Sequence, residues 1–260
     1  MGATRKIRLD QLLAERGLAE TRTRAQALIM AGAVRVGGEL ARKPGHPTAL
    51  DAPIEVDSGG AHVSRGWLKL AHALDAFAAQ PKDRVCIDIG ASTGGFTQCL
   101  LDRGARRVYA VDSGTHQLHE SLRGDKRVVV MENTNARLME ASACDPRPSL
   151  AVMDVSFIST LKIYPALGRV LLPPGELVSL VKPPFEAEPS EVTRGGRVTG
   201  PELHLAVISR WARGVAACGA RLTHFAASPI RGVKSGNVEY LARVLLLPAG
   251  TEAPLPEGEL

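Results

Sequence analysis

The stretch "VCIDIGASTGGFTQCLL", residues 85–101, runs from a short apolar segment into a glycine-rich turn and out into a helical pattern. A strand, turn and helix of this kind opens a doubly wound α/β sheet, whose ligands lie beyond the carboxyl ends of the strands. Gly90, Gly94 and Gly95 let the backbone pass close to such a ligand and take dihedrals denied to other residues, and Ser92 and Phe96 share the turn. Asp112 closes the next apolar segment, "RVYAVD", 22 positions after Gly90. A carboxylate there accepts hydrogen bonds from both hydroxyls of a ribose. Asp88 decides the cofactor class: its charge would repel a pyrophosphate on the helix amino terminus, yet it suits the cationic methionine end of S-adenosylmethionine. The expected cofactor is therefore S-adenosylmethionine, with "ENTNAR" bordering the adenine through Asn133, Thr134 and Asn135.

Outward from this unit the pattern alternates strand and helix, as in a parallel sheet with helices on both faces. Strands are predicted at "RVCIDIG", "RVYAVD", "RVVVME", "LAVMDVSF", "LVSLVK", "RLTHFAAS" and "EYLARVLLL". Helices are predicted at "WLKLAHALDAFAA", "GFTQCLLDRG", "THQLHESLRG", "STLKIYPALGRVLL" and "PELHLAVISRWARGVAACG". Seven strands, the last two joined by "SPIRGVKSGNV", fit a Rossmann-like methyltransferase sheet better than a dehydrogenase.

A smaller α+β unit precedes it. Leu9, Leu12 and Leu13 mark one helix with Asp10 near its start, and Ala25, Leu28 and Ile29 mark a second that Thr21 or Thr23 is placed to cap. "AVRVGG" and "APIEV" read as strands. Arg5, Lys6, Arg8, Arg22, Arg24, Arg35, Arg42 and Lys43 are spread over this unit, a surface suited to gripping phosphates, and Arg65 follows in "DSGGAHVSRG". The expected divisions are 1–58, a small-residue linker 59–66, a second domain 67–248 and a loose Pro/Gly/Glu-rich tail 249–260. The layout of "RLDQLLAERGLAETRTRAQALIMAGAVRVGG" resembles the alpha-L RNA-binding module of a small-subunit ribosomal protein, tyrosyl-tRNA synthetases and pseudouridine synthases.

Composition narrows the classes. The 260 residues carry 32 Lys+Arg against 27 Asp+Glu, a formal charge of +5 that is compatible with a polyanionic partner. Cys86, Cys99, Cys144 and Cys218 show neither disulfide nor metal spacing, so buried reduced thiols and no metal are expected. The amino terminus lacks an apolar signal core and no run reaches membrane-spanning length, which points to a cytoplasmic protein. His72, His116, His119 and His204 are expected on helices as ordinary packing or surface residues.

The segment "ELVSLVKPPFE", residues 176–186, ends an apolar strand on Lys182 and stops it with two prolines, which cannot donate to a ladder. Lys182 is thus expected at the carboxyl edge. Lys69 in "SRGWLKL", Asp154 in "DVSFIS", Lys182 in "VKPPFE" and Glu239 in "GNVEY" resemble the lysine, aspartate, lysine, glutamate tetrad of FtsJ-type RNA ribose methyltransferases. With the amino-terminal module included, residues 5–248 resemble the TlyA/hemolysin A family of ribosomal RNA cytidine 2'-O-methyltransferases; Trp67 departs from the small or varied residue expected there. The resemblance implies methyl transfer from S-adenosylmethionine to a cytidine ribose in ribosomal RNA or ribosomal subunits. Lys182 would serve as base, partly desolvated beside a second cation, with Asp154 and Glu239 orienting it.

Other classes carry less support. An exocyclic-amine methyltransferase needs a carbonyl acceptor before its Pro-Pro, which Lys182 is not. A membrane-acting cytolysin, suggested by the hemolysin name, lacks an amphipathic cationic helix. A ribosome assembly factor without turnover has no need of an intact tetrad.

Overall fold

The computed structural model describes residues 6–19, 21–30, 33–56, 62–230 and 237–247, without the side chains of Arg24 and Ala27. The expected tail 249–260 and residues 59–61 of the expected linker lie outside the described residues, as do 57 and 58 before it and 231–236 of the expected hairpin loop. The chain divides into two compact units, Met1–Arg65 and Gly66–Leu260.

The first unit is built from β1 (Lys6–Arg8), α1 (Leu9–Glu15), α2 (Arg22–Met30), β2 (Val34–Val36), β3 (Glu39–Leu40), β4 (Pro47–Ala49) and β5 (Ile54–Val56). Both predicted helices and both predicted strands are present, and β2 pairs antiparallel with β5 and β3. The strands β1, β3 and β4 are additional: two or three residues long, they are too short to establish an alternating pattern. Leu9, Leu13, Ala25, Ile29 and Val34 form the unit's core. Beside it lies an unforeseen polar anchor. Asp10, fully buried, accepts hydrogen bonds from Arg8 Nε (3.0 Å) and Nη2 (2.9 Å), Arg22 Nε (3.1 Å), Gln26 Nε2 (2.8 Å) and the Gln11 backbone N–H (2.9 Å).

The second unit continues with α3 (Gly66–Ala76), β6 (Val85–Ile89), α4 (Gly95–Asp102), β7 (Arg107–Val111), α5 (Glu120–Arg123), β8 (Val128–Met131), β9 (Leu150–Met153), α6 (Tyr164–Val170), β10 (Gly175–Val181), α7 (Pro183–Glu186), α8 (Pro201–Ala217), β11 (Ala220–Ala227) and β12 (Tyr240–Leu246). Its seven strands run in the order β11-β12-β10-β9-β6-β7-β8. The pairs β10–β9, β9–β6, β6–β7 and β7–β8 are parallel, and β12 is antiparallel to β10 and β11. Every residue of β6, β9 and β10 is buried, which explains continuous apolar runs in place of alternation. The chain reverses its direction of travel across the sheet between β6 and β9, so their carboxyl ends flank the crevice of a doubly wound fold.

Two predicted helices shorten. "THQLHESLRG" contributes only α5, because the carboxylate of Glu132 takes the backbone N–H groups of His116, Gln117 and Leu118 and holds that segment as a loop. "STLKIYPALGRVLL" breaks into a 3₁₀ turn at Thr160–Lys162 and α6, with Pro165 in the first turn of α6, where its missing N–H costs nothing. His116, in a loop at φ 53°, and His119, which caps α5, are therefore not helical, whereas His72 and His204 are. Cys86, Cys99 and Cys144 are buried as expected, but Cys218, just past α8, is exposed. Trp67 has a partner that explains its place: its Nε1 donates to Asp102 Oδ2 at 2.8 Å. Among the described residues no helix is long and apolar enough to cross a membrane, and no group of three or more His, Cys, Asp or Glu is arranged to hold a metal ion.

The hydrogen bonds from Arg8 hold the Asp10 carboxyl well below the ordinary carboxylate value of 3.8, against the opposing effect of burial and with help from Gln26 and Arg22. Its contribution to folding is thus present above that ordinary value and is lost as pH falls through the lower folded value. Asp10→Ala is expected to cost the first unit about 2 kcal/mol, since charge-assisted hydrogen bonds are removed and two guanidinium groups lose their anchor. Amide exchange in α1 and α2, followed from pH 7 downward, checks both the loss and its disappearance in acid.

Candidate active site

At the carboxyl ends of β6, β7 and β9 lies a cavity of about 490 Å³, a size ordinary for a cofactor site. Its lining includes Gly90 and Ser92 after β6, Asp112 and Ser113 after β7, Thr134 and Asn135 after β8, and Asp154, Val155, Ser156 and Phe157 after β9. Gly90, at φ 82°, is forced: a Cβ there would stand 2.5 Å from the carbonyl oxygen of Asp154. Gly94, at φ 97°, faces the other way, where a Cβ would strike Leu122 at 2.2 Å and Leu118 at 2.8 Å. Gly94, Gly95 and Phe96 do not line the cavity; they seat α4, with Phe96 buried. Asn133 likewise stays off the wall, its backbone N–H bonded to the carbonyl of Gly114.

Asp112 lies where the sequence placed it, but its carboxylate already accepts the backbone N–H of Ser92 (2.8 Å) and of Gly114 (2.7 Å). It ties the glycine-rich loop to the loop after β7, and each oxygen keeps a second lone pair for a ligand. Asp88 is sealed beneath the loop, fully buried and outside the cavity lining. Thr97 Oγ1 donates to its Oδ2 at 2.7 Å, while Oδ1 has no hydrogen-bond partner. Burial pushes this carboxyl up to about 7, with the charges of Asp154 and Asp112 acting in the same direction against the Thr97 hydrogen bond. Two carboxylates on the cavity wall, Asp112 and Asp154, with Asp88 sealed close by, fit a cationic ligand and disfavour a pyrophosphate. The open acceptors on Asp112 fit a ribose.

The four tetrad residues form two ion pairs. Lys69, on α3, reaches Glu239 Oε2 at 2.6 Å in a buried setting. Lys182 meets Asp154 Oδ1 at 2.5 Å and also donates to the Val155 carbonyl and to Ser156 Oγ, both at 3.0 Å. The two pairs share one sheet edge, because Val181 pairs with Tyr240, the neighbours of Lys182 and Glu239. Lys182 therefore has a carboxylate as its close ionic neighbour, where the sequence reading placed a second cation; Lys69 is taken up by Glu239. Phe157 was missed altogether. It is 88% exposed at φ 66°, with its ring 5.3 Å from that of Phe185, and nothing in a lone aromatic after a strand signals such exposure. Glu132, Gln117 and Arg137 were missed too, since their roles depend on which loops meet at this edge.

Residues 62–244 match the FtsJ-like methyltransferase family, and residues 7–48 match the S4 domain. The chain belongs to the FtsJ-like methyltransferase family. A Mycobacterium tuberculosis relative named 16S/23S rRNA (cytidine-2'-O)-methyltransferase TlyA is 46% identical over 238 residues, covering 91% of this chain and 88% of its own. A solved structure from Streptococcus thermophilus that carries the hemolysin name is 39% identical, with a TM-score of 0.75, and covers 98% of this chain and 92% of its own. The fold alone is shared with an S-adenosylmethionine dependent methyltransferase from Mesorhizobium loti, at 14% identity and a TM-score of 0.51, over 67% of this chain and 96% of that one.

In the S4 unit, Lys6, Arg8, Arg22, Arg35 and Lys43 are exposed and Arg65 is partly buried, while Arg5 and the side chain of Arg24 lie outside the described residues. Arg8 and Arg22 are held by Asp10, and Arg35 Nη1 donates to the carbonyl of Gly38 at 3.1 Å.

Two outcomes follow for the FtsJ-like site. Asp112→Ala is expected to weaken S-adenosylmethionine by about 1.5–3 kcal/mol, roughly 10- to 150-fold in a calorimetric titration. The second concerns Asp88, whose folded value near 7 exceeds its ordinary 3.8, so its contribution to folding is full below 3.8 and lost as pH rises through 7. A cation bound above it favours the ionised form. Binding of S-adenosylmethionine near pH 7 is therefore expected to release a fraction of a proton, read from calorimetry in buffers of different ionisation enthalpy, and Asp88→Asn to abolish that release.

Proposed function

We propose that this protein transfers a methyl group from S-adenosylmethionine to the 2'-hydroxyl of cytidine in ribosomal RNA, in one or both ribosomal subunits. The observation that carries the reading is Lys182, which does not itself line the cavity but is bonded to Asp154, Val155 and Ser156, which do. The reaction named for the Mycobacterium tuberculosis relative supports the substrate. Residues 1–58 are the RNA-binding domain in this reading, residues 67–248 the catalytic one, and the setting is the cytoplasm. Lys6, Arg8, Arg22, Arg35 and Lys43 are exposed to meet the phosphate backbone, and Phe157 offers a ring face to an unstacked base.

When bound, S-adenosylmethionine supplies an electrophilic sulfonium methyl. A ribose hydroxyl is a poor nucleophile, so its proton must leave as its oxygen bonds the methyl carbon and the carbon–sulfur bond breaks. In this reading Lys182 takes that proton. An uncharged amine has one lone pair for it, and the ammonium it becomes is stabilised by the Asp154 carboxylate and by hydrogen bonds to the Val155 carbonyl and Ser156 Oγ. Positive charge that develops during transfer is thus met by preorganised partners. Glu239 holds Lys69 at the same edge, and Asp88 and Asp112 keep the cavity anionic toward the sulfonium.

Lys182→Arg tests the assignment, because a guanidinium keeps the charge but cannot be deprotonated in a protein. Single-turnover methylation of ribosomal subunits is expected to fall by roughly 100-fold or more while cofactor affinity is retained. Mass spectrometry of the RNA locates the methyl group. A rate within a few-fold of the parent would defeat the base assignment, and product on a base instead of a ribose would defeat the reaction class.

A further inference from the structure

The segment "KPPFE" brings Lys182 to the edge, yet its last residue, Glu186, has no part in the chemistry above. Glu186 closes α7 with its carboxylate turned into the protein rather than into the cavity. It accepts hydrogen bonds from Ser159 Oγ (2.5 Å), the Thr160 backbone N–H (2.9 Å) and Thr160 Oγ1 (2.8 Å). Thr160 Oγ1 in turn accepts Trp211 Nε1 at 2.9 Å, from a side chain fully buried on α8. This carboxylate therefore bonds to groups that are themselves fixed in the core.

Two short segments lie side by side here, residues 154–160 after β9 and residues 182–186 after β10. They are joined at three levels. At the cavity end Lys182 binds Asp154, the Val155 carbonyl and Ser156. In the middle the rings of Phe185 and Phe157 stand 5.3 Å apart, with Lys182 Nζ 5.9 Å from the Phe185 centroid. At the far end Glu186 binds Ser159 and Thr160. Pro183 and Pro184 stiffen the span between Lys182 and Glu186, so a constraint at one end is transmitted to the other.

We propose that Glu186 is a positioning residue that holds Lys182 against Asp154 by clamping residues 159–160 to the end of α7. It deepens the methyl-transfer reading and rests on Lys182 acting there, without touching substrate or cofactor itself. A partly buried carboxylate with three donors costs desolvation and is held in place by those bonds, which makes it a specific latch rather than interchangeable packing.

The test uses the full chain and the variants Glu186→Ala and Glu186→Gln, the latter keeping volume and one acceptor for the Thr160 N–H. The first readout is acylation of Lys182 by an amine-reactive reagent, followed by peptide mass spectrometry and normalised to exposed Lys43 in the same molecule. Labelling of Lys182 is expected to rise several-fold in Glu186→Ala and less in Glu186→Gln. The second is single-turnover methylation, expected to fall on the order of 10- to 100-fold in Glu186→Ala with S-adenosylmethionine affinity within about two-fold of the parent. In an Asp154→Asn background the same change is expected to add little, because a clamp acting through that pair has nothing left to hold. Unchanged Lys182 labelling, cofactor affinity that falls in step with the rate, or full additivity with Asp154→Asn would each overturn the proposal. If the parent chain methylates no ribosomal subunit, the functional reading fails by itself and the labelling result still decides whether the clamp exists.

Discussion

The parallel pairing of β6 with β9 governs the second unit, since every functional group of the site is referred to it. Ile87, Asp88 and Ile89 lie opposite Ala151, Val152 and Met153 in register, and the Asp154 N–H donates to the Ile89 carbonyl at 3.0 Å. One strand leads to β7 and β8 on one side and the other to β10 on the opposite side, so the chain diverges at this seam. The seam also explains Gly90. With the Asp154 carbonyl so close, any side chain would push the two strand ends apart and with them the cavity wall.

Electrostatics around the seam are unbalanced by construction. Asp88, Asp112 and Asp154 converge on one region, and Asp88 is raised mainly because it is dry. The cations that balance the edge, Lys182 and Lys69, each face a carboxylate of their own. A negative basin with cations at its rim suits a reaction between a cationic donor and a polyanionic acceptor, because each is attracted to a different part of the same site. The S4 unit solves a related problem differently. There the buried carboxylate of Asp10 serves to aim Arg8 and Arg22, whose side chains remain about half exposed at 48% and 54%.

Much of the architecture could be read from local pattern because it depends on local chemistry. Fully buried strands must be apolar throughout, a close backbone approach demands Gly90, and paired prolines must end β10, so these features leave direct marks on the chain. Helix boundaries were less legible where a distant side chain competes for backbone donors. Glu132, after β8, takes three N–H groups of residues 116–118 that a helix would otherwise have used, and no residue within that stretch announces it. Short strands such as β1 and β4 exist because they find each other, not through any propensity that two or three residues could express.

The sequence by itself determined the order of strands and helices, the cofactor loop, the acidic residues at strand ends and the position of Lys182 past β10, because each follows from residue types at fixed spacing. Only the tertiary structure decided the partners. That Asp88 is sealed away while Asp112 stays accessible, that Lys182 meets Asp154 while Lys69 meets Glu239, and that Glu186 turns inward to residues 159–160 all depend on which loops the folded sheet brings within a few ångströms. Contacts between segments 26 to 170 residues apart are set by the register and twist of the sheet, and no local pattern encodes that distance.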